Sequence, residues 1–348
     1  MDFKPDYKNI VDAAQNRRPS RLPLYEHHIS DRIMEKVLGR EFSSLLAGDK
    51  SDKEEYFRHY CAFFEQMGYD CVSFECCIGP VMPDGGLLAG HGESVIKSYK
   101  DFEKYPWDQI VDDYFDMYGD TFAALRKVMP KGMKAVGGVG NGVFECVQEV
   151  VGYMNLAYIS SDDPELHTAL FGKVGDISLR IWQRFAREYG DIYCVFRFGD
   201  DLGFKSNTLI SAADIRRLLI PPYAAIIACA HSHSKPFLLH SCGHIFDVMP
   251  DLIDRARIDA KHSNEDQIAP FTFWVEKYGQ LIGNFGGMDT DAICRLSAPE
   301  IRDYVHAVLT QCENAGGIAF GSGNSIPDYV PVANYLEMVE AVRSYRGV

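Results

Sequence analysis

The tripeptide His240-Ser241-Cys242 is the segment of this 348-residue chain best suited to chemistry. It follows the apolar run from Pro236 to Leu239. On an extended strand residues i and i+2 point to the same side, so His240 and Cys242 converge while Ser241 faces away. An imidazole nitrogen and a thiolate at that separation suit tetrahedral Zn2+. Gly243 lets the chain turn sharply just beyond. A hydrogen-bonded His beside a buried Cys would account for the same residues equally well, so the weight of the motif depends on what accompanies it.

Other ionisable and amide side chains recur at equivalent places, each just after a short apolar run. They are Glu26, His27 and His28; Glu75; Asn141 and Glu145; Asp200 and Asp201; His262, Asn264 and Glu265; and Asn324, with Asp289 a little further out. Solvated loops explain about half of such positions, but not three separate exits that carry histidine. Several tempting residues take a structural reading. His231 and His233 suit a helix C-terminus. Cys76 and Cys77 suit packing, Phe271, Phe273 and Trp274 suit a helix face, and Asp289 suits the cap of a helix near Ala292.

The elements that must position these residues follow a repeat of strand, polar tip and helix. Eight candidate strands occur, at Leu22–Tyr25, Cys71–Phe74, Lys134–Val139, Ile192–Phe198, Pro236–Leu239, Ile258–Ala260, Leu281–Phe285 and Gly317–Phe320. The intervals between them are long enough for helices. Pro164 to Tyr189 spaces its apolar residues along one face, and Ser297-Ala298-Pro299-Glu300 is a capping box with Pro in the first turn. Crossovers of this length predict parallel strands, and eight of them predict a single (β/α)8 barrel over residues 1–348. Residues 1–20, an N-terminal extension, and the insert 80–107 are expected to form caps or lids. A doubly wound sheet fits less well, because the first strand leads into Glu26-His27-His28 rather than a glycine-rich phosphate loop. In a barrel, chemistry sits on the loops leaving the C-terminal ends of the strands.

Composition narrows the partners. The net charge of −14 argues against nucleic acid, whose phosphates need clustered Lys and Arg, and against an anionic membrane surface. The 10 cysteines are scattered, the N-terminus carries no apolar signal segment, and no apolar stretch is long enough to span a bilayer. A cytoplasmic protein with free thiols and a small-molecule substrate is the expectation.

Five segments carry a family resemblance: Gly199-Asp200-Asp201-Leu202-Gly203, Ile210-Ser211, His240-Ser241-Cys242-Gly243, Met249-Pro250-Asp251-Leu252-Ile253, and Gly321-Ser322-Gly323-Asn324-Ser325-Ile326-Pro327. Together they resemble the uroporphyrinogen decarboxylase superfamily, from about Arg21 to Ala341. The resemblance implies a (β/α)8 barrel and suggests a homodimer. One branch of the superfamily comprises cofactor-free decarboxylases of porphyrinogens. Its two carboxylate-gripping arginines after the first strand match His27 and Asp31 here. Its strand-two Asp has Glu75 nearby, and its Gly-His-Gly motif reads Gly323-Asn324-Ser325. The other branch comprises zinc methyltransferases that move a methyl group between a corrinoid and a thiol such as coenzyme M. Its His-x-Cys ligands match His240 and Cys242, and its third ligand, a Cys, falls on Asn324. Glu75, Cys77 and His262 are candidates to complete the metal.

The resemblance therefore implies methyl transfer, from a methoxy- or methylamine-type donor to the corrinoid of a partner protein or onward to a thiol. His240 and Cys242 would hold zinc. Asp200, Asp201, Glu75 and His27 would act in catalysis, and His28, Glu26, Asn141, Glu145, Arg197 and Asn324 would bind substrate. One alternative is a cofactor-free decarboxylase, with Asp200 or Glu75 stabilising a protonated intermediate and Arg197 holding a carboxylate. Another is a non-catalytic binding barrel, which Asn324 favours and the ionisable residues at the mouth oppose.

Overall fold

A computed structural model describes residues 3–90 and 92–347. Met1, Asp2, His91 and Val348 lie outside the described residues, the first two within the expected extension and His91 within the expected insert. Seven strands form one parallel sheet in sequence order: β1 Val72–Cys77, β2 Ala135–Gly140, β3 Tyr193–Gly199, β4 Phe237–His240, β5 Ala260–His262, β6 Gly283–Met288 and β7 Ile318–Ser322. Helices fill the crossovers, as parallel connections require. The longest, Pro164–Tyr189, buries the predicted apolar stripe, including Leu166, Leu170, Val174, Ile181 and Phe185. The helix Ala298–Gln311 starts on the capping box of Ser297 and Glu300.

The eighth strand is the main departure. Leu22–Tyr25 contributes a single parallel bridge, Leu24 to Phe320. The Phe320 amide donates to the Pro23 carbonyl and the Tyr25 amide to the Phe320 carbonyl. Pro23 has no N–H to extend the ladder. Among the described residues no backbone hydrogen bond joins this segment to β1. Side chains make that contact instead, with Ser73 Oγ donating to the His27 carbonyl at 2.8 Å.

Alternate residues climb the inside of the curled sheet. β1 leads from Cys71 through Ser73 to Glu75, β3 from Val195 to Arg197, β4 from Leu238 to His240, and β5 from Ala260 to His262. The lower rung is apolar. Val136, Val195, Leu238, Ala260, Phe285 and Ala319 pack with Ile10, Ala13 and Ala14 from the helix Lys8–Ala14. The N-terminal extension is thus a plug under the strands rather than a lid. The insert lies beside the helix Val143–Val151. Its Val95 and Ile96 amides reach the Val150 carbonyl, and the Gly86 amide donates to Glu149 at 2.7 Å.

Candidate active site

The upper rung places three imidazoles together. His27 stacks on His240 with ring centroids 3.8 Å apart and planes 18° apart. His240 Nδ1 lies 2.7 Å from His262 Nδ1, and His262 Nε2 lies 3.2 Å from the Ser322 carbonyl. Burial holds all three rings neutral. It lowers the His27 and His240 pKa values well below the usual range, with Arg197 adding to both and His262 to His240, and brings His262 down to about 3. The proton positions follow from the partners. A carbonyl only accepts, so His262 Nε2 carries the hydrogen and His262 Nδ1 offers a lone pair. His240 Nδ1 must then donate, which leaves the lone pair of His240 on Nε2.

That nitrogen faces Cys242 Sγ at 3.4 Å and Asp201 Oδ1 at 3.7 Å. The predicted convergence of His240 and Cys242 is therefore present, although β4 itself ends at His240. Asp201 Oδ1 also accepts the Cys242 amide hydrogen at 2.9 Å, which fixes it over the loop. Asn324 Nδ2 donates to Cys242 Sγ at 3.3 Å. Asn324 thus occupies the same site but turns a donor toward the sulfur. Burial, then Asp201, pushes the Cys242 thiol up. Among the described residues two groups could hold a metal, Asp201–His240–Cys242 and His27–His240–His262, with ligand atoms within 4.8 Å of one another in each.

Below the imidazoles, Arg197 is 1% exposed. Its Nε and Nη2 donate to Glu75 Oε2 at 3.1 and 2.7 Å. Its Nη1 donates to Tyr25 Oη, the His27 carbonyl and Ser73 Oγ. Burial opposes the guanidinium charge, but Glu75 and Tyr25 outweigh it and raise the pKa. Arg197 is therefore an internal counter-ion, with its fork engaged on Glu75, and is not free to grip a substrate carboxylate. Glu75 Oε1 lies 3.9 Å from His27 Nε2.

Three other expected site residues turn out to brace loops. Asp200 is fully buried and accepts the Phe144 and Glu145 amides at 2.9 Å each, plus the Tyr223 hydroxyl. A carboxylate there caps the helix Val143–Val151, whose first amides lack partners. Burial lifts the Asp200 pKa to about 7. Glu145 accepts from Asn141 Nδ2 at 2.9 Å and from the Asp201 amide at 3.2 Å. Asn141 in turn accepts the Gly79 amide hydrogen at 3.1 Å. Glu26 faces away from the imidazoles. Its carboxyl takes the Ser322 amide at 2.9 Å and the Ser322 hydroxyl, stitching the unpaired first segment to β7. His27 points inward, while His28 is exposed.

A cavity of about 730 Å3 opens beside His27, His28 and Glu75, walled by Tyr56, Tyr60, Phe74, Met117 and Tyr118. Sequence reasoning missed this wall. Its residues come from two helices, Lys50–Met67 and Ile110–Val128, and β1, and their aromatic spacing looks like ordinary helix packing. The capping readings hold for His233 and Asp289, whereas His231 Nε2 contacts Asp259 Oδ2 at 2.7 Å. His233 Nδ1 lies 3.0 Å from the Cys229 carbonyl at a helix end, and Asp289 caps the Asp291 and Ala292 amides. Cys77 and Glu75 belong to neither candidate metal group.

The family model described as uroporphyrinogen decarboxylase (URO-D) matches residues 59–345. The chain belongs to the uroporphyrinogen decarboxylase family. Among solved structures, a methyltransferase from Methanosarcina mazei superposes with a TM-score of 0.69 at 14% identity, covering 98% of this chain and 99% of that one. A putative vitamin-B12 independent methionine synthase from Listeria monocytogenes gives 0.49 at 9% identity, covering 94% and 98%. No curated protein matches the chain by sequence. Among the described residues, no helix is long and apolar enough to cross a membrane.

Proposed function

We propose that this family member is a methyltransferase, which moves a methyl group from a methoxy- or methylamine-type donor to the corrinoid of a partner protein, or onward to a thiol. The observation that carries this reading is the approach of His240 Nε2 and Cys242 Sγ to 3.4 Å at the mouth of the strands. Bound to zinc with ligand distances of 2.0–2.3 Å, tetrahedrally placed donors sit about 3.3–3.8 Å apart, so this pair fits the metal. Zinc there would keep a substrate thiol ionised at neutral pH, or draw charge from a leaving oxygen. The methyltransferase from Methanosarcina mazei, with the same fold, supports the reading.

The chain's own residues supply the rest. His262 fixes the His240 tautomer through the 2.7 Å contact, so that Nε2 is the ligating atom. Cys242 must lose its proton on binding metal, which makes metal affinity rise with pH. Asn324 donates to the sulfur and steadies its negative charge. His27 is neutral, and its Nδ1 is buried without a hydrogen-bond partner. His27 lines the cavity with Glu75 Oε1 3.9 Å from its Nε2, and this pair would face the donor's heteroatom. The aromatic-walled cavity takes the body of the donor.

A decarboxylase reading lacks its carboxylate clamp, because Arg197 is engaged by Glu75. The test supplies purified, zinc-loaded protein with methylcobalamin and coenzyme M and follows the corrinoid absorbance. Demethylation by the parent and its loss in Cys242→Ala is the expected result. Equal rates in parent and variant, or efficient turnover of uroporphyrinogen, overturns the reading.

A further inference from the structure

Asn324 stands where the zinc-binding relatives have a third ligand, and its amide nitrogen, not its oxygen, meets Cys242 Sγ. A neutral amide is a poor zinc ligand beside a carboxylate, imidazole or thiolate, and this one turns its nitrogen toward the sulfur, so a charged neighbour is the better third ligand. We infer that Asp201, at the end of β3, is that ligand, and that the metal site of this chain is Asp201–His240–Cys242. The inference deepens the metal half of the reading above and rests on it.

The geometry selects this group over its rival. Imidazole lone pairs lie in the ring plane, and a metal bound by two imidazoles must lie in both planes. The His27 and His240 rings are stacked 3.8 Å apart and within 18° of parallel. Their planes do not meet near either nitrogen, so the two rings cannot share an ion as they stand. The His240–His262 contact of 2.7 Å is a hydrogen bond between two Nδ1 atoms. It is shorter than the donor–donor edge of a zinc tetrahedron, about 3.3–3.8 Å. His262 therefore orients His240 from behind and is not a co-ligand.

Asp201 meets each requirement that the histidines fail. Its Oδ1 is 3.7 Å from His240 Nε2, close to a tetrahedral edge, and that nitrogen is the one the tautomer leaves with a lone pair. All three ligand atoms lie within 4.8 Å of one another. The Cys242 amide holds the carboxylate in place at 2.9 Å, yet a carboxylate keeps further lone pairs for a cation. With one carboxylate, one imidazole and one thiolate, the site has the three protein ligands and open fourth position of catalytic zinc. Glu75 is held by Arg197 and is not available.

Cobalt titration of the chelator-stripped full-length protein tests this through its spectrum rather than its activity. The parent should bind one Co2+ per chain, with a thiolate-to-cobalt charge-transfer band that Cys242→Ser removes. Asp201→Asn keeps the carbonyl that accepts the Cys242 amide hydrogen, and should bind Co2+ about tenfold or more weakly. Asp201→Cys adds a second thiolate and should about double the charge-transfer intensity, given that the parent band comes from one sulfur. If both Asp201 variants bind and absorb as the parent does, Asp201 is not a ligand. The inference then falls, while the metal reading stands. If the parent binds no Co2+ and Cys242→Ser behaves the same, the metal reading falls as well.

Discussion

At the N-terminal end of the strands, Leu238, Ala260 and Phe285 close on Ile10, Ala13 and Ala14, with no ionisable side chain among them. Two residues further along the same strands and facing the same way stand His240 and His262. Polar groups near the lower end meet on one carboxylate oxygen, although Asp70 Oδ2 and Arg21 Nε are left without a partner. Asn9, Arg21 and the Asp6 amide all converge on Asp70. At the upper end a buried His27 nitrogen is left without a partner, and His240 Nε2 faces a thiol and a carboxylate. One pleat thus serves two purposes, with the lower rung supplying apolar burial and the upper rung presenting donors. Between them lies Arg197 of β3, whose charge is matched by Glu75 and which bonds groups from the first segment and β1. Conservation of purpose by level is what a barrel predicts, with stability below and chemistry above.

Removing the divider should have the largest effect. Arg197→Leu strips Glu75 of its counter-ion and removes the donor to the Tyr25 and Ser73 hydroxyl oxygens. It should lower stability by about 3–5 kcal/mol, as measured by urea denaturation. A loss below 1 kcal/mol would mean that solvent replaces the pair and the two levels are not separated. Next come two substitutions on one strand. Leu238→Ala should cost about 2–4 kcal/mol through the cavity it opens, with Co2+ affinity unchanged. His240→Ala should abolish Co2+ binding and cost about 1–3 kcal/mol, the penalty for leaving His262 Nδ1 unpaired. If Leu238→Ala also removes metal binding, the distinction between the rungs breaks down.

How much of this was legible depended on distance along the chain. The pairing of His240 with Cys242 follows from a two-residue strand period, and the caps at Ser297 and Asp289 follow from local hydrogen bonding. Leu22–Tyr25 shows where pattern reading failed, since an apolar run beside β7 looked like a strand although Pro23 lacks an amide hydrogen. The Asp200–Asp201 pair shows a different failure. Adjacent residues point opposite ways, so one had to turn from the mouth, but only the Phe144 and Glu145 amides decide which. The imidazole stack and the Arg197 network join residues more than 100 positions apart. No local period encodes them.

A probe of pH dependence concerns Glu26, which bonds Ser322 at the edge between the two levels. Burial lifts its pKa from the ordinary 4.5 to about 8, against the opposing Ser322 hydrogen bonds. Below pH 4.5 the carboxyl is protonated in both the folded and the unfolded chain, and its contribution does not change. Between pH 4.5 and 8 the unfolded chain releases this proton while the folded chain keeps it. The folded state then binds more protons, so stability falls as pH rises. The loss should be about 1 kcal/mol per pH unit across that window, levelling off above pH 8. Glu26→Gln copies the neutral carboxyl, with an oxygen to accept the Ser322 amide and an N–H to donate to its hydroxyl, but it does not titrate. Urea denaturation of parent and variant at pH 5, 6, 7 and 8 should show a slope steeper in the parent by about 1 kcal/mol per pH unit, the Asp200 contribution being common to both. Equal slopes would mean that Glu26 is ionised in the folded protein, as it would be if water reached it from the upper level. The boundary between the apolar and polar rungs would then lie lower than Glu26.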